Sequence, residues 1–474
     1  MATFDTVIRH GTIATASETY RADVAIRNGR IVAIGESLTE ADDIVDATGL
    51  LVLPGGIDSH VHISQPSGPG IVMADDFASA TRAAAFGGNT FVMPYCLQAK
   101  GQPLREALKD YHALAEQNCH VDHSFHLIIA DPTENVLGQE LPALIADGYT
   151  SLKIFMTYAD LALSDFQILD VLSVARESGA LVQVHAENYD AIRFLVDRLE
   201  RAGDVGPYFH AKSRPIAVER EATHRAISLA ELIDVPIVVV HVSNRESMEE
   251  IRRAQMRGLK IHGETCPQYL VLTEEDLKDL GMEGAKYVCS PPPRDLASQQ
   301  ACWEGLQQGV FTLFSSDHCP FRYDDEAGKL TPNARTSFRW IPNGIPGIET
   351  RLPILFSEGV SKGRITLNQF VALTATNHAK TYGLAGKGSI AIGYDADIAL
   401  WDPLRTATLS QAGLHHGADY TPYEGLEITG WPVATMLRGR FVMRDGKLVG
   451  SKGDGRYVSR GRPLAGYSAA DPAR

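Results

Sequence analysis

Paired cysteines are missing from this 474-residue chain: Cys96, Cys119, Cys266, Cys289, Cys302 and Cys319 contain no Cys-x-x-Cys pair and no disulfide-framework spacing. That excludes a small stapled module and points to a reducing, cytoplasmic setting. No run of about 18 apolar residues occurs, and Met1-Ala-Thr-Phe-Asp5 has no basic segment ahead of an apolar one, so neither a membrane span nor an export signal is expected. Positive charge is in deficit, with 44 Lys and Arg against 58 Asp and Glu and a net charge of −14. That balance argues against nucleic acid or an anionic membrane as partner and leaves a small molecule. Short-period repeats and low-complexity segments are also lacking. What remains, 44% hydrophobic and 22% charged residues, is the composition of a soluble globular protein, long enough for several domains or for one large barrel with an appendage.

From about residue 51 the chain alternates short β-branched runs with longer helical patterns, as successive βαβ units do. Eight such runs end near His62, Pro94, Ala130, Phe155, His185, His241, Thr265 and Asp317. Between them lie amphipathic stretches at 75–86, 104–117, 164–178, 217–233 and 245–257. The expectation is an α/β fold, a (β/α)8 TIM barrel over 54–384. The flanks differ. Residues 4–9, 12–14, 22–27 and 30–34 read as strands, with Asn28-Gly29 as a hairpin turn; 388–402 and 433–449 have the same character. Neither end makes a stable sheet alone, so 1–53 and 385–450 are expected to pair into one small β-sandwich. The tail, 451–474, reads either as a disordered terminus or as an arm across a neighbouring subunit.

His60-Val61-His62 follows the apolar run Leu50-Leu51-Val52-Leu53 and the turn Pro54-Gly55-Gly56-Ile57-Asp58. Imidazoles two apart on an extended segment point to one side and can hold one metal ion. In such a barrel functional groups sit at the C-terminal ends of strands. Lys153 lies in the fourth run, His185 ends the fifth, His241 the sixth and Asp317 the eighth. The other histidines fall in helices, loops or strand interiors. His123, His126 and His262 read as core histidines, and His210 as surface or structural.

Four histidines, an aspartate and a lysine suit two Zn²⁺-like ions better than one. An ammonium has no lone pair for a dication. Lys153 is therefore either an ion-paired lysine or, after taking up CO2, a carbamate whose two oxygens each bind one metal.

The motifs Pro54-Gly-Gly-Ile-Asp-Ser-His-Val-His62, Ser151-Leu-Lys-Ile-Phe-Met-Thr-Tyr158, Val184-His-Ala-Glu-Asn188, Val240-His-Val-Ser243, Gly263-Glu-Thr-Cys-Pro-Gln-Tyr-Leu270, Cys289-Ser-Pro-Pro292, Ser315-Ser-Asp-His-Cys-Pro320 and Pro342-Asn-Gly-Ile-Pro-Gly-Ile-Glu349 resemble those of dihydropyrimidinases and D-hydantoinases, cyclic amidases of the amidohydrolase superfamily. The resemblance covers nearly the whole chain. It implies that His60, His62 and Asp317 bind the inner zinc, that His185 and His241 bind the outer one, and that carbamylated Lys153 bridges them. It further implies that Tyr158 hydrogen-bonds the oxyanion and that the backbone at Ser290 and Asn343 holds the ring amide of a cyclic ureide. A hydroxide bridging the zinc ions would attack the ring carbonyl, with Asp317 passing its proton to the leaving nitrogen and an N-carbamoyl amino acid as product. His318 either orients Asp317 or makes a structural hydrogen bond. The resemblance also implies a homotetramer.

The loop Ile63-Ser-Gln-Pro-Ser67 lacks the Leu-Arg pair with which dihydroorotases hold a carboxylate, and no Glu-Pro-Gly follows His-x-His as expected of an allantoinase, which stays as the alternative enzyme. Tyr95 is preceded by Pro94 where many relatives carry aspartate, and this touches the pocket for the ring substituent. Loops 63–74, 95–102 and 155–163 are expected to set that substituent. A catalytically silent scaffold, the reading from another class, would have lost metal ligands; all six candidates are present.

Overall fold

In the computed structural model, which describes residues 3–278 and 280–463, eight parallel strand positions form the barrel. They are Gly56–Val61, Asn89–Leu97, a third split into Asp122–His123 and His126–Ile128, then Ser151–Phe155, Leu181–His185, Ile237–Val239, Ile261–Thr265 and Phe311–Phe314. Each pairs in parallel with its neighbour. A parallel bridge from Val61 to His318 joins the eighth position back to the first. Most of these strand residues are buried on both faces, which is why the runs read as nearly continuous Val, Ile and Leu rather than as an alternation.

The helices lie where the 3.6-residue periodicity put them: Phe77–Phe86, Leu104–Ala115, Asp165–Ser178, Ile216–Ile233 and Arg245–Met256. Their starts follow local chemistry. Asp76 and Ser164 each accept a backbone N–H three residues on inside a capping box, and Gly179 ends the Asp165–Ser178 helix in the left-handed conformation. Among the described residues no helix is long and apolar enough to cross a membrane.

Beside the barrel, Arg30–Gly35, Asp23–Arg27, Phe4–Arg9 and Ala41–Asp46 form one sheet. Lys447–Leu448, Arg440–Arg444, Glu427–Leu437, Ile398–Thr408, Leu51–Pro54, Thr12–Ala14 and Thr19–Arg21 form another. Ile8, Val24 and Ile26 of the first pack on Ile13, Val52, Ile398, Leu400 and Met436 of the second. The termini thus share one sandwich, and Asn28-Gly29, both at positive φ, makes the expected hairpin turn.

Leu51–Pro54 pairs with Ile398–Thr408 in the sandwich, and one expectation is corrected there: most of the expected turn, from Gly56, is the first barrel strand itself. A hydrophobic run of four residues carries no mark of which core it enters. The tail over 451–463 packs on its own chain. It lies along the N-terminal ends of its own barrel strands, where His123 and Val458 exchange backbone hydrogen bonds with Arg456 and His123. Buried Arg460 donates there to Ser124 Oγ, Ser151 Oγ and Phe125 O at 2.6–2.8 Å. Residues 464–474 lie outside the described residues.

Candidate functional site

The C-terminal ends of the barrel strands open into a cavity of about 600 Å³. All nine sequence-predicted site residues line it: His60, His62, Lys153, Tyr158, His185, His241, Ser290, Asp317 and Asn343. One cluster is compact. His60 Nε2 and His62 Nε2 lie 3.2 and 3.4 Å from Asp317 Oδ1, and the three residues offer ligand atoms all within 4.8 Å of one another. His185 Nδ1 and His241 Nε2 form a second group, 2.9 Å apart, with the His241 ring 5.3 Å from that of His60.

Three of the four imidazoles have their tautomer set from behind. His60 donates Nδ1–H to Glu264 Oε1 at 2.6 Å, and His62 donates Nδ1–H to Gln65 Oε1 at 2.7 Å. His185 donates Nε2–H to Glu187 Oε2 at 2.7 Å. The lone pair of each ring is thereby turned into the cavity, as metal-binding histidines require. Burial holds His60 and His241 well below the usual imidazole range, so these rings are neutral.

Lys153 is the unusual member. It is buried, and its Nζ has no hydrogen-bond partner among the described residues; its nearest rings are Tyr95 at 5.1 Å and Phe155 at 5.3 Å. An ion-paired lysine would have a carboxylate within reach, and none lies within 4.0 Å of Nζ among the described ion pairs. Burial pushes its ammonium down to about 8, against the pull of Glu264 and Asp317. The uncharged amine is the form that takes up CO2, and burial enlarges its share. His241 Nδ1 is a second buried nitrogen without a partner. The donor set, imidazoles and a carboxylate around these unsatisfied nitrogens, fits divalent metal.

Beside the His185 ring, burial raises the Tyr158 phenol to about 12, opposed by Arg214 and by hydrogen bonds with Ser290 and Asn343. The hydroxyl therefore stays protonated and able to donate. Tyr158, His241 and Asp317 all have positive φ, 69°, 42° and 52°, a conformation that costs non-glycine residues about 1–2 kcal/mol each. Such outliers cluster where a site over-determines the backbone. Asn343 is followed by Gly344 at φ 145°, where a Cβ would collide with Cys319, so only glycine lets this strip approach the eighth strand end.

Several functional neighbours were not legible. Glu187 and Glu264 stood in the quoted motifs without a role. His210, expected at the surface or in a structural role, is buried and donates Nε2–H to Cys289 O at 2.9 Å, with Ser290 Oγ at 3.2 Å. His318 settles on the structural alternative: it donates to Asp75 Oδ2 at 3.1 Å and accepts from Gly347 N–H at 3.1 Å. Tyr95, at the start of the 95–102 loop, is buried against His60 and His62, its ring 4.9 Å from that of His62 and its hydroxyl donating to Gln183 Oε1 at 2.5 Å. Loops 63–74 and 155–163 do line the cavity, but 95–102 contributes only Leu97, while Phe321 and the strip 339–344 join the wall. Of the core histidines, His126 is satisfied by Ser151 and Ser59, whereas His123 Nδ1 and His262 Nε2 lack partners.

The chain is similar to known proteins over nearly its whole length. The sequence profile of the amidohydrolase family matches residues 51–442. The chain is 46% identical over 460 residues to a D-hydantoinase of Geobacillus stearothermophilus, covering 96% of each. It is 43% identical to a D-hydantoinase of Ralstonia pickettii, covering 96% of this chain and 99% of the relative. The crystal structure of a dihydropyrimidinase from Brevibacillus agri superposes with a TM-score of 0.94 at 44% identity, covering 96% of this chain and 99% of that one.

Proposed function

Because this chain belongs to the amidohydrolase family, in its D-hydantoinase and dihydropyrimidinase branch, and hydrolyses cyclic amides with the help of metal, we propose that it opens five- or six-membered ureide rings, 5-substituted hydantoins or dihydropyrimidines, to N-carbamoyl amino acids at a two-metal site. The observation that carries this reading is the buried, unpartnered Nζ of Lys153 among four histidines and Asp317. His60, His62 and Asp317 would hold one divalent ion, His185 and His241 a second, and a carbamate on Lys153 both. Bound there, the metal pair supplies a water acidic enough to attack at neutral pH and positive charge to polarise the ring carbonyl.

The chain's own groups do the rest. Asp317 is held below the usual carboxylate range although it is buried; ionised, it takes the proton of the attacking water and returns it to the ring nitrogen as the C–N bond breaks. The Tyr158 hydroxyl donates to the oxygen that becomes anionic, already placed in the cavity with its proton held. The backbone at Ser290 and Asn343 pairs with the ring amide and fixes which carbonyl meets the nucleophile. A cytoplasmic setting and a homotetramer belong to the same proposal, supported by the unpaired cysteine pattern and the family resemblance respectively.

The test is ring opening by metal-replete enzyme offered hydantoin, 5-phenylhydantoin, dihydrouracil, allantoin and dihydroorotate at matched concentrations. Turnover of the first three is expected. Turnover of dihydroorotate or allantoin alone overturns the substrate assignment.

A further inference from the structure

Between the fifth and sixth barrel strands the chain carries three helices, Tyr189–Ala202, Tyr208–Lys212 and Ile216–Ile233. Arg214 stands in the turn joining the last two and is buried. Its Nη1 donates to Glu187 Oε2 at 2.7 Å, the same oxygen that accepts Nε2–H of His185 at 2.7 Å. Glu187 is fully buried, and its other oxygen has no partner among the described residues. The carboxylate is thus suspended between one guanidinium and one imidazole. The same guanidinium lies with Cζ 5.5 Å from the centre of the Tyr158 ring, and the Tyr158 and His185 rings meet edge-on at 5.4 Å. Arg214 is itself anchored: Arg294 donates to its carbonyl and pairs with buried Glu219 at 2.9 Å.

We infer that Arg214 is a positioning residue for both halves of the site, orienting His185 through Glu187 and holding Tyr158 by its ring face; this rests on the two-metal reading above. The physical reason is the buried carboxylate. With Arg214 gone, Glu187 loses the guanidinium that hydrogen-bonds its Oε2, and a buried carboxylate held from one side only swings away from His185. His185 then loses the anionic acceptor that sets its tautomer and makes its facing nitrogen a good ligand. Independently, Tyr158 loses the cation over its ring while sitting at φ 69°.

The experiment compares Arg214→Met with wild type in two readouts. During dialysis against a chelator, followed by atomic emission, the variant is expected to release metal about tenfold faster, the size typical of losing a partner behind a metal ligand. Restored with excess zinc, it should still show a lowered kcat on the ring substrate with KM within about twofold of wild type. A generally loosened barrel would give the same losses in any background. The proposed routes do not: in a Glu187→Gln background Arg214→Met should change metal release by less than about twofold, and in a Tyr158→Phe background it should change kcat as little. Additive losses in both backgrounds, or release and kcat unchanged in folded Arg214→Met, overturn the inference. If Arg214→Met does not fold, Arg214→Gln, which keeps a polar donor but no cation beside Glu187, is measured in the same backgrounds with the same criteria. Wild-type metal content and ring turnover are measured first. Their absence refutes the two-metal reading itself, whereas an active wild type with unaffected variants refutes only the role of Arg214.

Discussion

Tyr158→Phe removes one oxygen and leaves the ring, which separates oxyanion stabilisation from the rest of what the cavity does. The ring contacts Phe155, His185 and Arg214, and phenylalanine keeps all three. Only the hydroxyl and its hydrogen bonds with Ser290 and Asn343 are lost. Burial holds the phenol at about 12, so at pH 8 roughly one molecule in 10⁴ has lost the proton and the donor is present throughout a normal assay. The sign is that of an acid with a raised pKa: the donor is intact below about 12 and disappears only as pH rises through it. Removing one oriented donor to a developing oxyanion costs about 10²–10³ in kcat, or about 2.7–4 kcal/mol. A hydroxyl that only held substrate would instead raise KM and spare kcat. Steady-state kinetics on a hydantoin, with metal content measured on the same samples, should show the fall in kcat at unchanged metal occupancy. A kcat within about threefold of wild type at full occupancy would refute the oxyanion role of Tyr158.

Lys153→Ala should lose both the paired metal and activity, with partial return when short carboxylic acids are added to replace the bridging oxygens. Full activity of the wild type with a single equivalent of zinc would refute the carbamate bridge. Stripping metal with a chelator should lower the melting temperature, and free metal at about a hundred times its Kd should restore about 2.7 kcal/mol of stability. Scanning calorimetry at fixed protein concentration reads this, and identical melting curves for stripped and reloaded protein would show that those residues bind no ion.

Much of the site was readable because a barrel converts one-dimensional order into a ring. Once eight β-branched runs alternate with helices, the residues that end those runs must face one another. That picked His60, His62, His185, His241 and Asp317 out of many polar residues without knowledge of any contact. The residues that stayed silent act across long sequence separations. Glu264 reaches His60 over 204 positions, and Glu187 gains its cation from Arg214 in a separate helical insertion. Nothing local in Gly-Glu-Thr or His-Ala-Glu distinguishes a carboxylate behind a histidine from one facing solvent. The positive φ of Tyr158, His241 and Asp317 was equally hidden, since intrinsic preference disfavours it and only the surrounding packing imposes it.

What the amino-acid order determined alone was the barrel, the sandwich built from both termini, and the inventory of candidate metal-binding and proton-transfer groups, because hydrophobic period and residue chemistry are local properties. Tertiary structure alone decided that the first barrel strand starts at Gly56, inside a stretch that reads as a turn, that the tail over 451–463 packs on the underside of its own barrel, and that Lys153 Nζ in the cavity wall has no hydrogen-bond partner among the described residues. These depend on which surfaces meet after the chain closes, and burial and pairing are settled only there.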